Sequence, residues 1–415
     1  MTENDPLAVA DKAYRAGPTY KTALELSEAL RKAGHAAEAT DFTKRWIGKV
    51  DDSHYLARYA VNMHCLGMYE ESEVLFRELL GAPLSDWDLH RVRSELAMVL
   101  EAQGKLHEAY ELHRSLREKA GSAMLLHQLY EGHDAAFTEK ALNKVLDLYE
   151  PVSGKKILVL LEGGAGDLLM YSRYLGKLRE EGALAVYLEA PYSMLGILRQ
   201  EPWLNVIHDR SAVVDECDSV TWIFSLFVRY QSSPYYPNMR ESWIVPPTNQ
   251  DVSESVRKSL ECGRDGIKKI AIIWRSPTTI RHEPYRSVEL RTLTPLLGSP
   301  ACQFYSLQMG SLTVEEQTLI DQYGIVELGS GIRTFSDTAH VLYKMDLLIC
   351  VDTGPGHLAG SLDRPVWLLL SRVCDHRWHN CKRFTAWYSS MRLYRQEVLG
   401  DWTTPLATMS ADLKR

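Results

Sequence analysis

The chain has 415 residues with a formal charge of −7, 45% of them hydrophobic and 24% charged. That length exceeds what a single core fills and predicts two or three domains, while the mild negative charge excludes a general nucleic-acid binder. Seven scattered cysteines, Cys65, Cys217, Cys262, Cys302, Cys350, Cys374 and Cys381, are odd in number and lack framework spacing, so reduced thiols are expected rather than disulfides. The opening Met1-Thr2-Glu3-Asn4-Asp5-Pro6 carries neither a basic segment nor an apolar run, and no apolar stretch reaches about 18 residues. The expectation is a cytoplasmic protein without a transmembrane segment.

Residues 1–150 read as helical throughout, with apolar positions at three- and four-residue spacing. Three blocks repeat within them: Ala33-Gly34-His35-Ala36-Ala37-Glu38-Ala39, Leu66-Gly67-Met68-Tyr69-Glu70-Glu71-Ser72 and Gln103-Gly104-Lys105-Leu106-His107-Glu108-Ala109. Each has a glycine, a glutamate four positions later and then a small residue, with the glycines 33 and 37 positions apart. The pattern resembles the tetratricopeptide repeat, in which glycine turns the chain between two antiparallel helices and the small residue lets them pack closely. A plain helical bundle is the alternative. Such an array has no catalytic constellation of its own and holds a peptide or another subunit on its concave face. A helical bridge is expected over Leu142 to Tyr149.

After the turn Pro151-Val152-Ser153-Gly154 the pattern alternates between strands and helices. Residues 151–248 read as one doubly wound half, with strands at Lys155–Leu161, Ala185–Glu189, Asn205–His208 and Thr221–Leu226. Residues 249–415 read as a second half, with strands at Lys268–Trp274, Gln303–Leu307, Ile325–Leu328, Asp346–Val351 and Val366–Leu370. A C-terminal segment, Trp387 to Gln396, is aromatic and basic and is expected to cross back over the cleft between the halves. The fold class is therefore multidomain: helical repeats followed by two Rossmann-like domains that face each other.

Chemistry concentrates at two turns. In the first half, Gly163-Gly164-Ala165-Gly166-Asp167 follows a buried strand, so the backbone is open to a ligand and a carboxylate stands at the strand's carboxyl end. In the second half, Asp352-Thr353-Gly354-Pro355-Gly356-His357 sits between strand and helix, where N–H groups are aimed at an anion. An ordinary tight turn with a capping aspartate reads the same way at either place.

These two turns resemble glycosyltransferase family 9, the ADP-heptose heptosyltransferases of lipopolysaccharide synthesis. The resemblance extends to Ser306-Leu307-Gln308, Phe335-Ser336-Asp337-Thr338-Ala339, Pro365 to Leu370 and Met391 to Gln396. It is closer still to the bacterial tetratricopeptide-repeat glycosyltransferases whose C-terminal module is related to that family. The resemblance implies a GT-B fold, a nucleotide-sugar donor and metal-independent, inverting transfer. It also implies Asp167 as general base, Asp352 on sugar hydroxyls, and Thr353, Gly354, Gly356 and His357 along the donor phosphates. The family's diphosphate-binding lysine is missing, and Arg281 and Arg286 are the matching cations. Gln308 would reach the nucleotide.

The repeats imply a protein or peptide acceptor. Transfer in surface-glycan assembly and a scaffold with a degenerate transferase module are the alternatives, and a homo-oligomer is left open. Cys374, His376, His379 and Cys381 lie in one short segment, but without Cys-x-x-Cys spacing, so no metal or other cofactor is expected.

Overall fold

The computed structural model describes residues 5–231, 244–248, 251–261, 266–277, 281–378 and 382–414. The N-terminal part consists of helices α1 (Pro6–Ala16), α2 (Tyr20–Lys32), α3 (Ala36–Trp46), α4 (Ser53–Cys65), α5 (Tyr69–Leu80), α6 (Asp86–Ala102), α7 (Leu106–Arg117), α8 (Lys119–Tyr130) and α9 (Ala135–Leu142). Helices α2 and α3, α4 and α5, and α6 and α7 pack as pairs. At each pair's turn the repeat glycine adopts a left-handed conformation, with φ of 90° at Gly34, 77° at Gly67 and 75° at Gly104. Ala39, Ser72 and Ala109 are fully buried where the paired helices touch, which explains why only small residues occupy those positions.

The first sheet contains β1 (Lys156–Leu160), β2 (Ala185–Glu189), β3 (Leu204–Ile207) and β4 (Ser219–Trp222), in the order β3-β2-β1-β4 and all parallel. Helices α10 (Ala165–Tyr171), α11 (Leu175–Glu180) and α12 (Ile223–Tyr230) belong with it.

Two expectations are corrected here. The helix stops at Leu142 and gives way to turns around one bridge: Val145 pairs with Val220, the Leu146 N–H donating to the Val220 carbonyl at 2.9 Å and the Val220 N–H to the Lys144 carbonyl at 2.7 Å. The open edge of β4 has captured a segment whose composition alone allowed a helix. The apolar run 221–226 is strand only to Trp222, after which α12 begins, since a short apolar run carries no period that separates the two.

The second sheet contains β5 (Lys268–Ile273), β6 (Cys302–Ser306), β7 (Val326–Glu327), β8 (Leu347–Val351), β9 (Val366–Leu370) and β10 (Met391–Arg395), in the parallel order β10-β9-β8-β5-β6-β7. Its helices are α13 (Glu254–Glu261), α14 (Thr294–Leu297), α15 (Val314–Tyr323), α16 (Phe335–Lys344), α17 (Gly354–Ser361) and α18 (Thr403–Leu413). The C-terminal segment crosses back only at Trp387 and Tyr388. Trp387 meets Tyr171 and Phe227 of the first half, with ring centroids 5.8 and 5.6 Å apart, and its carbonyl accepts from Arg173 at 3.1 Å. The following residues form β10, and α18 packs on β10 and α14.

This is the GT-B arrangement with tetratricopeptide-like repeats in front of it. One apolar cluster runs from Ile157 and Leu188 of the first sheet through Leu168, Tyr171 and Phe227 to Leu358, Trp378 and Met391 of the second. The two sheet domains are therefore joined by a continuous core. No described helix is long and apolar enough to cross a membrane.

Candidate active site

Both chemistry-bearing turns stand at the carboxyl ends of central strands, and they meet. Helix α10 packs on α17, and a Cβ placed on Gly166 would lie 2.7 Å from the His357 ring. Glycine at 166 is what allows this approach, because a methyl group there would overlap the imidazole.

In the first turn, Asp167 occupies the third position of α10. Its Oδ2 accepts the Gly164 N–H at 2.8 Å, which caps the helix, and its Oδ1 accepts from Arg377 Nη2 at 2.7 Å. Gly163, with φ of 78°, turns the chain out of β1 beneath this carboxylate. Glu162, just before it, is gripped by Arg117 of α7 through two hydrogen bonds of 2.6 Å.

In the second turn, Asp352 follows the fully buried β8 and is itself only 4% exposed. Arg286 donates to its carbonyl from Nε at 2.6 Å and places Nη2 3.2 Å from Oδ2. Oδ1 makes no hydrogen bond, although His357 Nε2 stands 3.5 Å away. Burial alone would raise the Asp352 pKa, but the charge of Arg286 and the neighbouring His357 outweigh it and hold the group well below its ordinary value. His357 is pushed down by burial, which the Asp352 carboxylate only partly opposes. Its Nδ1 lies 3.0 Å from the Tyr388 hydroxyl, and its ring stacks on Trp378 at 5.2 Å. A neutral imidazole has one N–H, so with Nε2 turned to a carboxylate, Tyr388 is the donor to Nδ1. The Thr353 hydroxyl donates to the Val351 carbonyl at 3.1 Å, and its own carbonyl receives the Gly356 N–H at 3.0 Å. Gly354 lies beneath Phe335, and Gly356 lies against Cys350.

The structure brings Asp167, Gly163, Gly164, Gly166, Asp352, Thr353, Gly354, Gly356, His357 and Arg286 together, but not Arg281 or Gln308. Arg281 is bound by Glu95 of α6 through hydrogen bonds of 2.8 and 2.6 Å, so it is held toward the helical repeats rather than at the Asp352 turn. Gln308 Oε1 accepts the N–H groups of Trp274 and Arg275 at 3.2 and 2.8 Å, and its amide donates to the Arg275 and Met309 carbonyls. The side chain thus ties the end of β5 to the chain after β6.

Arg377, Tyr388 and Trp378 were not singled out by the sequence. The signal available was the Asp375-x-Arg377-Trp378 frame. A cavity of about 1280 Å³ opens elsewhere, lined by Arg275, Tyr285 and Trp402 among others, and includes neither Asp167 nor Asp352.

Among the described residues, no three His, Cys, Asp or Glu side chains form a metal-holding group. Cys374 Sγ accepts from Arg395 Nη1 at 2.9 Å, and His376 Nδ1 lies 3.0 Å from Asp375. His379 and Cys381 lie outside the described residues.

The two facing sheet domains, with the family match of the second turn, indicate a glycosyltransferase class of protein. Within it, residues 330–377, which carry the Asp352 turn and Arg377, match the model of glycosyltransferase family 9 (heptosyltransferase). No curated protein matches the chain. Among solved structures, ADP-heptose lps heptosyltransferase II of E. coli is 14% identical over 62% of this chain and 98% of its own, with a TM-score of 0.39. The iron-containing dodecameric glycosyltransferase TibC of enterotoxigenic E. coli H10407 is 12% identical over 60% of this chain and 65% of its own, with a TM-score of 0.40. A Thermobaculum terrenum O-GlcNAc transferase is 14% identical over all of this chain and 94% of its own, with a TM-score of 0.29.

Proposed function

We propose that this protein transfers a sugar from a nucleotide-sugar donor to a hydroxyl of a protein or peptide held by the helical repeats, with inversion and without a metal. The observation that carries the reading is Asp352: a buried carboxylate, kept charged beside a guanidinium and opposite a second carboxylate turn, with one oxygen whose nearest donor, His357 Nε2 at 3.5 Å, is too distant to satisfy it. A buried acceptor without a donor is costly unless a ligand supplies one, and a sugar hydroxyl does. Arg286, rather than Arg281, is the cation for the donor's diphosphate, with the Gly354 N–H at the start of α17 completing the cradle. Charge that develops on the leaving diphosphate is stabilised there more than in the ground state.

Asp167 takes the proton of the acceptor hydroxyl as that oxygen attacks the anomeric carbon from the face opposite the diphosphate. The bond between anomeric carbon and phosphate oxygen breaks as the new glycosidic bond forms. The match over residues 330–377 favours a heptose donor and supports a second reading, transfer in surface-glycan assembly with the repeats serving only in assembly.

A thermal-shift screen against ADP-heptose, UDP-N-acetylglucosamine and GDP-mannose tests the donor class, since a ligand that binds only the native state raises its stability. Asp167→Asn is expected to lower transfer by roughly a hundred- to ten-thousandfold and to keep the donor-induced shift. If no nucleotide sugar shifts the protein, the scaffold reading replaces this one. If the variant loses the shift but turns over bound donor normally, Asp167 is not the base.

A further inference from the structure

The turn from Asp375 to Trp378 joins three parts of the chain through partly buried charge. Arg377 donates from Nε to Asp375 Oδ1 at 2.7 Å and from Nη2 to Asp375 Oδ2 at 3.1 Å, and the same Nη2 reaches Asp167 Oδ1 at 2.7 Å. On the other side of Asp375, His376 Nδ1 lies 3.0 Å from Oδ1. The turn packs on α6 of the repeats, and the His376 ring lies 6.2 Å from His113 and 6.1 Å from Phe224. His113 Nε2 is 3.2 Å from Glu101 Oε1.

Two buried atoms in this region, Glu101 Oε2 and His376 Nε2, have no hydrogen-bond partner. After burial, the strongest influence on Glu101 is the charge of His376, while Asp375 and Glu101 are the leading influences that raise His376. Glu101, His113, His376, Asp375, Arg377 and Asp167 thus form a row of charged and titratable side chains from a repeat helix to the first catalytic turn, in direct contact from His376 onward and joined to Glu101 through His113. In a partly buried row of this kind neighbouring charges compensate one another, and removal of one leaves like charges facing each other.

Asp167 has few restraints of its own. The Gly164 N–H fixes one oxygen and Arg377 the other, so the direction of the remaining lone pairs is decided by these two contacts. We propose that Arg377 is a positioning residue for Asp167, and that the helical repeats take part in the chemistry by holding Arg377 in place through Glu101, His376 and Asp375. The inference rests on the reading of Asp167 as the base. It makes the repeats a support of the catalytic carboxylate in addition to any acceptor they carry.

The test uses the full chain, with release of ADP from ADP-heptose and of UDP from UDP-N-acetylglucosamine as readouts. Arg377→Gln is expected to lower kcat by about tenfold or more with the donor KM within twofold, since a base displaced by an ångström loses rate rather than affinity. Arg377→Lys should recover part of the loss. Glu101→Gln, distant from the donor, should lower kcat in the same direction and leave KM alone. In the Asp167→Asn background neither change should reduce the residual turnover further, because both act through Asp167.

Full additivity in that background, or an effect confined to KM, overturns the proposal. Should Arg377→Gln fail to fold, Arg377→Lys and Glu101→Gln carry the same comparison. If Asp167→Asn itself retains wild-type turnover, the base reading fails first and the proposal falls with it. If Asp167→Asn is inactive while Glu101→Gln and both Arg377 variants are normal, only the proposal falls.

Discussion

Gly166 shows how the sequence signals at the site relate to geometry. A Cβ at this position would lie 2.7 Å from the His357 ring, which is itself buried between Trp378 and Tyr388 and has no free path of retreat. Gly166→Ala is therefore expected to push the two turns apart at a cost of about 1–3 kcal/mol. A lower urea midpoint together with a reduced donor-induced shift would register that separation, and an unchanged midpoint would mean that the turns are not held in contact. Asp167, Asp352 and His357 were legible in the sequence because each lies in a glycine-flanked turn directly after a strand. Arg377 was not, because its partner Asp167 lies 210 positions away, and no local period or turn chemistry reports a pairing of that range. The expectations for Arg281 and Gln308 came from the family resemblance, which places a cation in that loop and a glutamine after that strand without fixing which side chain faces the site. The structure commits Arg281 to Glu95 and Gln308 to backbone near the end of β5.

Among the elements, the repeat turns read most directly from sequence: glycine, glutamate and small residue recur because each helix pair needs a left-handed turn and a close contact. Those turns are not equivalent in the folded chain. Nothing lies within 4 Å of a Cβ built on Gly34, whereas one on Gly67 would meet Val373 Cγ2 at 3.2 Å, in the chain that leaves β9. Gly34→Ala should cost about 1–2 kcal/mol, the strain of a left-handed alanine. Gly67→Ala adds a clash with the second sheet domain and should lower the melting temperature further. Equal shifts in thermal unfolding would show that the second repeat turn does not bear on that domain. The segment after Leu142 and the run 221–226 were misread for one shared reason. Neighbouring strands, whose identity is not local, decide whether such short apolar stretches pair or coil.

At the scale of the molecule, the alternation of apolar runs and helices was enough to indicate two parallel sheets, but it did not reveal how tightly the repeats join them. Two histidines near that junction give stability opposite dependences on pH. Burial and the nearby charge of His64 push His282 from 6.5 down to about 3, so below pH 6.5 the unfolded chain takes up a proton that the native chain refuses, and stability falls with falling pH. Burial opposes the charge of His376, yet Asp375 and Glu101 raise it from 6.5 to about 9. Above pH 6.5 the native chain therefore keeps a proton that the unfolded chain has released, and stability falls as pH rises toward 9. Urea unfolding from pH 5 to 9 should peak near pH 6.5, and His376→Gln should flatten the alkaline side only. An alkaline slope that survives this substitution would assign it to another group.

The ion pairs at the junction also impose an order on biosynthesis. Arg117 and Glu162 are 45 positions apart, Glu95 and Arg281 are 186 apart, and Asp167 and Arg377 are 210 apart. The repeats are built from local contacts, so their packing partners are all present before the sheet domains are made. Glu95 and Glu101 then remain hydrated until the last third of the chain arrives to cover them. A nascent chain stopped before Arg377 therefore holds the Asp167 turn without the guanidinium that pairs with it.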